Sequence, residues 1–416
     1  MHDNGNGDGN DTRDANKGAL RSAGRRNFVG SVAALSGTAL LGRAPAVLSQ
    51  SRAPLRIGVL NSFSKVFAAL GNANLNAMQM YFDQIGGTIA GRKIEIIRED
   101  DEISPQVGLT KLRKLVESDK CDLITGIQAS NVALAAVDYI RQSRAFYLCN
   151  GAGVGDLSYT GVPYIFRCSI HTQPIHATMG DWFYDNVAKE VVTSASDFAG
   201  GRSTILEFKA GFGKKGGKIV KEIYPPLGNN DFSAYLADMR SLSPPATYNF
   251  YAGTDAVRFV KQYDEYGLKA KTKLTGSGFM VESDTLPAQG RSALGALSSL
   301  HYADTLDNAE NKKFVADYRA KFNEFPSVYS EYGYLAARII HEALKAVDGN
   351  TQDKDKLRAA MLAVKLNAPR GPFSFNQQTQ GPVHNVYIRE VAEVDGRITN
   401  RVIHTYNNVT EPSTKS

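Results

Sequence analysis

The chain has 416 residues, of which 43% are hydrophobic and 22% are charged, and its formal net charge is +6 at pH 7. This composition is ordinary for a soluble globular protein and gives enough length for two or more domains. The basic residues are scattered along the chain, which argues against a nucleic-acid-binding protein, because such proteins cluster their positive charge on one face.

The N-terminal segment, residues 1–46, differs from the rest. Its first 24 residues are rich in Gly, Asn, Asp and Ser without apolar periodicity, which predicts disorder. Arg25 and Arg26 then precede a weakly apolar run, and small residues follow up to Ala46. This pattern is typical of a twin-arginine export signal cleaved after Ala46. The run is shorter than the ~20 residues of a membrane span, so we expect the twin-arginine translocase to export a periplasmic protein.

A strand, a helix and a second strand follow one another without interruption over 122–155. DLITG and AFYLC are short apolar runs, and the apolar residues of 132–140 between them recur at helical spacing. The loops after the two strands, 127–131 and 150–155, carry small and hydroxyl residues at the edge where a parallel sheet presents its ligand crevice. Ser130 is the candidate N-cap of the helix, so its hydroxyl and the free amides behind it would face an anion.

The same alternation of strand and helix extends on both sides of this unit. It begins at Leu55 and starts again after VPYIFRCSI at 162–170. Parallel strands need crossover connections, so the pattern predicts parallel sheets covered by helices on both faces. Two consecutive open sheets of similar size imply two α/β lobes, and we expect the functional site in the cleft between them.

The final third of the chain breaks this rhythm. Helical spacing predicts three helices, over 309–322, 329–347 and 353–364. The tail, GPFSFNQQTQGPVHNVYIREV and RITNRVIHTY, is typical of antiparallel strands joined at Gly and Asn turns. We expect this tail to pack at a sheet edge or across the lobes.

Three cysteines, Cys121, Cys149 and Cys168, leave at least one thiol unpaired. Cys121 enters its strand and Cys149 leaves the next parallel strand, so the two lie at opposite ends of the sheet, beyond the ~7 Å Cα separation that a disulfide allows. We interpret all three as small buried hydrophobic residues. A bridge between Cys149 and Cys168 remains the alternative.

The histidines show no metal-ligand spacing with cysteine or carboxylate residues. His171 and His176 are five residues apart across a proline, which is poor geometry for one face of a helix. We therefore expect no metal, and no cofactor is indicated. The sequence also contains no G-x-S-x-G nucleophile elbow, which argues against hydrolytic catalysis.

Two glycine-rich segments resemble nucleotide motifs only in composition. GAGVG at 151–155 follows a strand but is succeeded by DLSYTGVPYIF, which lacks the helical periodicity that a dinucleotide fingerprint requires. GFGKKGGK at 211–218 has Gly217 where a phosphate loop needs lysine. We interpret the first as a loop that lets a small ligand approach the backbone, and the second as the C-terminal end of a helix.

Several aromatic residues fall at strand ends or helix starts, which are crevice positions in an α/β sheet, whereas core packing is the alternative for each. They are Phe63, Phe67, Phe198, Phe279 and Tyr329.

Taken together, these features resemble the leucine/isoleucine/valine-type periplasmic substrate-binding proteins of ABC transporters. The resemblance covers about residues 54–405 and rests on four segments: the LRIGVL start, the block from Gly126 through Ser130 to Ala152, the NFYAG strand and the PSVYSEYGYLAARI helix. It implies the type I binding-protein fold, in which two Rossmann-like, doubly wound lobes are joined by a hinge of crossover strands.

The resemblance also implies a division of the chain. Residues 54–167 and 298–366 would form the N-terminal lobe, and residues 168–297 and 367–405 the C-terminal lobe. A flexible tail would occupy residues 406–416.

In that family a serine hydroxyl and backbone amides of the first lobe hold the ligand carboxylate, and aromatic residues of the second lobe close over it. The resemblance places the first role at Ser130 and Ala152. Tyr329 looks like the family's tyrosine on the late helix, and Phe198 and Thr254 occupy loops that bear ligand-facing aromatics. The predicted ligand-binding residues are Ser130, Asn131, Ala152, Gly153, Phe198, Thr254, Phe279 and Tyr329.

Two departures from the family pattern bear on the ligand. Amino-acid receptors of the family bind the substrate ammonium with a threonine and an acidic residue, and here those places are Gly153 and Gly278. A buried ammonium without acceptors is costly. The segment GSGFMVESDTLPAQG is also similar to members associated with aromatic acids, so we predict a benzoate or a phenylpropenoid acid. A branched-chain amino acid remains the alternative, with Glu282 as the nearby acid.

The resemblance implies capture by lobe closure and delivery to an inner-membrane ABC permease, without any bond being made or broken. A sensory receptor of the same fold is one alternative. An exported α/β hydrolase is another, and it would need an acid and a base in the cleft. Asp100, Asp101 and Glu102 form the only tight carboxylate cluster near a strand end, and we interpret them as a solvated loop.

Overall fold

The computed structural model describes residues 52–414. The predicted twin-arginine signal lies outside the described residues. Within residues 52–414, no helix is both long enough and apolar enough to cross a bilayer.

The first half of the described chain forms a six-stranded sheet with helices between its strands. Its elements are β1 (Leu55–Asn61), α1 (Ala68–Gln84), β2 (Thr88–Ile89), β3 (Arg92–Asp100), α2 (Pro105–Arg113), β4 (Leu123–Gly126), α3 (Ser130–Ser143), β5 (Tyr147–Cys149) and β6 (Ile165–Arg167). The strand order is β2-β3-β1-β4-β5-β6. All pairs are parallel except the short hairpin of β2 and β3. The predicted parallel sheet is confirmed.

A second run of alternating elements follows and begins the larger sheet. These elements are α4 (Thr172–Asn186), β7 (Glu190–Ala195), α5 (Ala199–Lys214), β8 (Lys218–Ile223), α6 (Ser233–Leu242), β9 (Ala246–Phe250), α7 (Gly253–Glu265), β10 (Lys273–Ser277), α8 (Leu286–Gln289) and β11 (Leu297–Leu300). α5 ends at Lys214, and Gly216 beyond it has φ +88°. The phosphate-loop likeness at 211–218 is therefore a helix terminus, as predicted.

The last third contributes three helices and four antiparallel strands. They are α9 (Ala309–Phe322), α10 (Val328–Ala346), α11 (Lys354–Leu362), β12 (Lys365–Ala368), β13 (Gly371–Phe375), β14 (Pro382–Val394) and β15 (Arg397–Val409). The larger sheet has the order β12-β13-β14-β11-β10-β9-β7-β8, with β15 paired to β14. The tail thus packs at a sheet edge, as predicted.

Although α10 comes late in the chain, it packs against the first sheet's helix α1. Gly333 of α10 lies so close to the carbonyl of Asn74 in α1 that no Cβ would fit between them. Only glycine allows this approach. The chain therefore returns from the larger sheet to cover the first one.

The C-terminal segment differs from the predicted flexible tail of residues 406–416. β15 continues to Val409, and Tyr406 still pairs with Val386 of β14. Farther on, the Tyr159 hydroxyl donates to the carbonyl of Pro412 at 3.0 Å. The prediction was wrong for residues 406–412, because strand pairing and side-chain contacts hold them. At the other boundary, β11 joins the larger sheet as a whole, whereas the predicted lobe boundary at residue 298 divides it.

A buried ion pair connects segments near the junction of the two sheets. Arg370, in the turn between β12 and β13, donates from Nε to Glu331 Oε1 of α10 at 2.8 Å, and its Nη2 contacts the other carboxylate oxygen. Its Nη1 donates to the carbonyl of Cys168 at 2.9 Å, in the segment that leaves β6. Both side chains are fully buried. The Arg370 guanidinium therefore connects the larger sheet, α10 and the segment that follows β6.

The three cysteines are free, so the alternative bridge between Cys149 and Cys168 does not form. Cys149 and Cys168 are buried, as interpreted from sequence, while Cys121 is partly buried. Burial raises the pKa of the Cys168 thiol well above its ordinary value. The Cys168 thiol therefore stays protonated and unreactive in the folded chain.

Candidate functional site

A narrow cavity lies between residues of the first sheet, the larger sheet and α10. Its lining carries aromatic, small and uncharged polar side chains and no charged one. The lining residues are Phe67, Gln128, Ser130, Gly151, Gly153, Ile170, Thr172, Phe198, Gly200, Thr204, Phe250, Ala252, Phe279 and Tyr329. Loops after β4, β5, β7, β9 and β10 all contribute, so the cavity is at the carboxyl ends of the parallel strands, where α/β folds bind ligands.

Ser130 connects the two loops of the central strand-helix-strand unit. It is the first residue of α3, with Ala129 in the capping position, one residue from the predicted N-cap. Its Oγ accepts the amide hydrogen of Val154 at 3.3 Å. A hydroxyl that accepts one hydrogen bond keeps its own hydrogen to donate. Ser130 is thus placed to donate to an oxygen of a bound ligand.

The glycine loop places Gly153, and not Ala152, against the cavity. The Ala152 amide donates to the carbonyl of Ile127 at 2.8 Å. A Cβ on Gly151 would lie 2.6 Å from the same carbonyl oxygen, so the loop packs closely against the segment after β4. The Ala152 amide is therefore already paired with the segment after β4 and is not free to bind a carboxylate as predicted.

Five aromatic rings form a continuous series across the cavity, which we call the ring series. Phe67 meets Phe198 at 6.0 Å between centroids, and Phe198 meets Phe250 at 5.9 Å. The series continues from Phe250 to Phe279 at 5.8 Å and to Tyr329 at 5.6 Å. These separations fall within the range of favourable edge-to-face and offset-stacked pairs. Both sheets and α10 contribute a ring, so relative movement of the sheets would rearrange the series.

Of the eight ligand-binding residues predicted from sequence, the cavity brings together Ser130, Gly153, Phe198, Phe279 and Tyr329. The other three, Asn131, Ala152 and Thr254, do not line it. The side chain of Asn131 is turned away and donates to the carbonyl of Ile103 at 3.4 Å.

Nine lining residues were not among those eight, and they include Gln128, Thr172, Thr204 and Phe250. Gln128 Oε1 and Thr204 Oγ1 are buried without a hydrogen-bond partner. Buried polar atoms are normally paired, so these two are candidates for polar contacts to a ligand. The sequence could have indicated Gln128 and Phe250, because Gln128 follows the end of a strand and Phe250 is the last residue of one. Thr204 lies inside a helix, and nothing in the sequence marks it.

The two acidic positions considered from sequence do not reach the cavity. Glu282 is buried and accepts from Arg389 Nη1 at 2.8 Å and from the Val328 amide at 2.8 Å. A Cβ on Gly278 would lie 2.4 Å from Arg389 Nη2. The Arg389 guanidinium therefore occupies the space that an acidic side chain at residue 278 would need. Among residues 52–414, no carboxylate lines the cavity to bind an ammonium group.

The carboxylate cluster at 100–102 is only in part the solvated loop that was predicted, because Glu102 is exposed whereas Asp101 is not. Asp101 is fully buried, and its Oδ1 accepts from the Ser62 hydroxyl at 2.7 Å and the Ile103 amide at 2.8 Å. Burial raises the pKa of Asp101. Its acceptor oxygen is used to hold neighbouring loops, so the cluster has a structural role.

A second, larger cavity of about 490 Å³ lies beside the first, between α5 and the segment after β5. Thr172 lines the first cavity and Ser203 lines the second, and their hydroxyl oxygens are hydrogen-bonded at 2.8 Å. The basic side chains that line the larger cavity are both paired: Arg202 with Asp197 at 2.6 Å, and Lys209 with Glu222. We favour the smaller cavity, because it lies at the carboxyl ends of strands from both sheets and its wall carries the ring series. Within the described residues, no three His, Cys, Asp or Glu side chains are grouped as metal ligands.

Comparison with known proteins agrees with this architecture. A family model described as periplasmic binding protein matches residues 54–397. The Leu/Ile/Val-binding protein homolog 6 of Brucella melitensis is 28% identical over 371 residues, covering 87% of this chain and 94% of that protein.

Two solved structures are similar over most of their length. The solute-binding protein of an ABC transporter from Rhodopseudomonas palustris BisB5, in complex with 3,4-dihydroxybenzoic acid, has 34% identity and a TM-score of 0.83, covering 86% of this chain and 99% of that one. An R. palustris solute-binding protein in complex with benzoate has 30% identity and a TM-score of 0.82, covering 86% and 98%.

The two sheets with a cavity at their strand ends define a two-lobed, type I solute-binding protein, the fold predicted from sequence. The chain belongs to the periplasmic binding protein family, and within it to the solute-binding proteins of ABC transporters. This is a family of transport proteins and not of enzymes, and its ABC solute-binding members are periplasmic.

Proposed function

We propose that this protein captures a small aromatic carboxylate by lobe closure and delivers it to an inner-membrane ABC permease. The observation that carries the proposal is the composition of the cavity wall, which joins the ring series to uncharged polar groups and offers no carboxylate. An α-amino acid would leave its ammonium unpaired in this wall. The benzoate and dihydroxybenzoate bound by the two similar R. palustris proteins support the same ligand class.

In the proposed complex, the Ser130 hydroxyl and the side chain of Gln128 bind the carboxylate. Phe198, Phe279 and Tyr329 enclose the ring. Burial raises the pKa of the Tyr329 phenol well above its ordinary value, so this group remains a neutral donor. Asn131, Ala152 and Thr254 are left out of the proposed site, because none of them lines the cavity.

The cavity has a volume of about 30 Å³ in this structure. An apolar cavity that binds benzene is about 150 Å³. We therefore propose that the ligand enters a more open form, in which the lobes separate and the ring series divides. The lobes would be residues 54–167 with the helices of the last third, and residues 168–300 with the terminal strands. Rejoining of the rings around a ligand would then contribute to closure.

Calorimetry with a panel of benzoates, phenylpropenoid acids and branched-chain amino acids tests the proposed ligand class. We expect saturable binding of at least one aromatic acid and none of leucine. Tight binding of leucine without binding of any aromatic acid would contradict the proposal. Incubation with aromatic esters and amides should release no product, because we propose capture without chemistry.

We also propose that the mature protein begins after Ala46 and is exported by the twin-arginine translocase. The adjacent arginines of the N-terminal segment support this route. Changing Arg25 and Arg26 to lysine together should retain the precursor in the cytoplasm, as seen by fractionation and by the mass of its N-terminus. Unchanged export of this variant would exclude the route.

A further inference from the structure

Arg167, the last residue of β6, is buried directly behind the wall of the candidate site. Its side chain is only 2% exposed. Nη1 donates to the carbonyls of Gly153 and Ile170, each at 3.0 Å, and Nη2 donates to the carbonyl of Val154 at 2.7 Å. Its Nε is buried without a partner. The guanidinium therefore holds the glycine loop without itself lining the cavity.

No carboxylate oxygen of residues 52–414 lies within 4.0 Å of the Arg167 guanidinium. The other two large guanidiniums that are fully buried have such partners: Arg370 pairs with Glu331, and Arg389 with Glu282. Burying a cation without an anion is unfavourable, and carbonyl dipoles compensate for only part of the lost hydration. Arg167 thus carries a buried positive charge whose direct hydrogen-bond partners are all backbone carbonyls.

That charge is next to the cavity. Gly153 and Ile170, whose carbonyls bind the guanidinium, both line the cavity, and the Val154 amide donates to Ser130 Oγ inside it. The nearby His171 is kept neutral, because burial and the charge of Arg167 hold its pKa well below the ordinary value. In an interior with few charges and little water, a cation acts over a longer distance than it does in solvent.

We propose that Arg167 is the counter-charge for the ligand carboxylate and makes the site selective for anions over neutral and zwitterionic molecules. The inference rests on the proposed function, since it assigns a residue to the same cavity. Arg167 does not touch the cavity and acts through the loop of Gly153 and Val154, so it is a positioning residue. It stabilises a carboxylate beside Ser130, and it disfavours an ammonium in the same space by like-charge repulsion.

Paired ligands that differ only in charge separate this role from a structural one. Calorimetry would compare 4-hydroxybenzoate with 4-hydroxybenzamide for the wild type, R167Q and R167K. We expect the wild type to prefer the acid, and R167Q to reduce the ratio of the two affinities by about tenfold, because a charge pair is lost and the shape is kept. R167K should retain most of the ratio even if both affinities fall. R338Q, at an arginine paired with Glu310, is the control and should leave the ratio unchanged.

The outcomes distinguish this inference from the proposed function. Binding of aromatic acids with the same acid-to-amide ratio in wild type and R167Q would overturn the role of Arg167 and leave the function standing. Binding of aliphatic acids alone, with an R167Q-dependent preference over their amides, would support Arg167 and contradict the aromatic ligand. Tight binding of zwitterionic leucine would overturn both. If R167Q does not fold, equal wild-type affinity for the acid and the amide is sufficient to overturn the inference.

Discussion

Ser130 accepts the amide hydrogen of Val154 at 3.3 Å, and this contact joins the start of α3 to the glycine loop at a hydroxyl that faces the cavity. The two loops come from neighbouring parallel strands, β4 and β5. A ligand oxygen that accepts from Ser130 would therefore bind the same hydroxyl that links the two loops.

Ser130→Ala removes the donor and leaves the Val154 amide without its acceptor. We expect ligand binding to weaken by about 1 to 3 kcal/mol, the usual cost of removing a hydrogen bond to a charged or buried group. Calorimetry with the best-bound acid measures the change. Ser143→Ala, at the other end of α3, is the matched control, because Ser143 Oγ donates to the carbonyl of Tyr139 outside the cavity. Equal affinity of S130A and wild type would show that the carboxylate binds elsewhere.

Gly200→Ala should impair binding without impairing the fold. A Cβ at this position would lie 2.8 Å from the Phe198 ring and 3.2 Å from Ser130 Oγ, so it would fill the ligand space. Gly200 lies in the first turn of α5, and the Phe198 side chain must shift to admit the Cβ, so we expect only a small change in the midpoint of thermal unfolding. Gly213→Ala, in the same helix with no atom within 4 Å of its Cβ, is the control. Wild-type affinity in G200A would contradict the location of the site.

Glu331→Ala should lower the free energy of unfolding by about 3 to 5 kcal/mol, because it leaves the Arg370 guanidinium buried without its anion. The double variant E331M/R370M should recover much of this loss, since it leaves no buried charge. Chemical denaturation measures both variants. Lys313→Ala, which breaks the exposed pair with Asp317, is the control and should change stability by only about 0.5 kcal/mol. A loss as small as that for E331A would show that the buried pair does not stabilise the junction.

Acidification should destabilise the protein through its buried histidines. Burial lowers the pKa of His176 to about 3 and also lowers the pKa values of His171, His301 and His384. Below the unfolded pKa of about 6.5, the unfolded chain binds protons that the folded chain does not, so each histidine lowers stability by about 1.4 kcal/mol per pH unit. Stability should therefore fall continuously from pH 6.5 to pH 5.

The variant His176→Gln tests one of these contributions. Its unfolding free energy, measured by urea denaturation at several pH values, should decrease less steeply between pH 6.5 and pH 5 than that of wild type. The expected difference in slope is about 1.4 kcal/mol per pH unit, the contribution of one histidine. Glutamine still offers an acceptor to Tyr248, whose hydroxyl lies 2.8 Å from His176 Nδ1. His404→Gln, at an exposed histidine, serves as the comparison. A pH slope as steep in H176Q as in wild type would mean that His176 is not buried as a neutral group.

Much of the fold could be predicted because its strands and helices differ in apolar periodicity. The predicted helix at 309–322 agrees with the structure to the residue, and the predicted helix at 329–347 differs by one residue at each end. The tail was less predictable, since the pairing of 406–409 with β14 depends on a partner strand that lies across a turn. Local composition, rich in Asn and Thr there, indicated only a flexible end.

The site was predictable where strand ends and loop chemistry coincide, as they do for Ser130, Gly153 and Phe198. The Ala152 amide could not be assigned from sequence, because its use by Ile127 depends on how closely two loops approach. Thr204 and Arg167 could not be predicted either, because both lie within regular elements. Thr204 reaches the cavity from α5, and Arg167 reaches the cavity wall from the end of β6. Sequence thus locates a crevice, while the tertiary contacts decide which atoms remain free within it.

The protonated thiol of Cys168 can report on motion of the chain between the two sheets. Its amide donates to the Cys149 carbonyl at 2.8 Å, and its own carbonyl accepts from Arg370, so the segment is held at both ends of the residue. Alkylating reagents can reach the sulfur only when these bonds open, because the side chain is fully buried. The rate of labelling at Cys168, with and without ligand, would thus measure how often the segment after β6 opens in solution. No probe residue has to be introduced for this measurement.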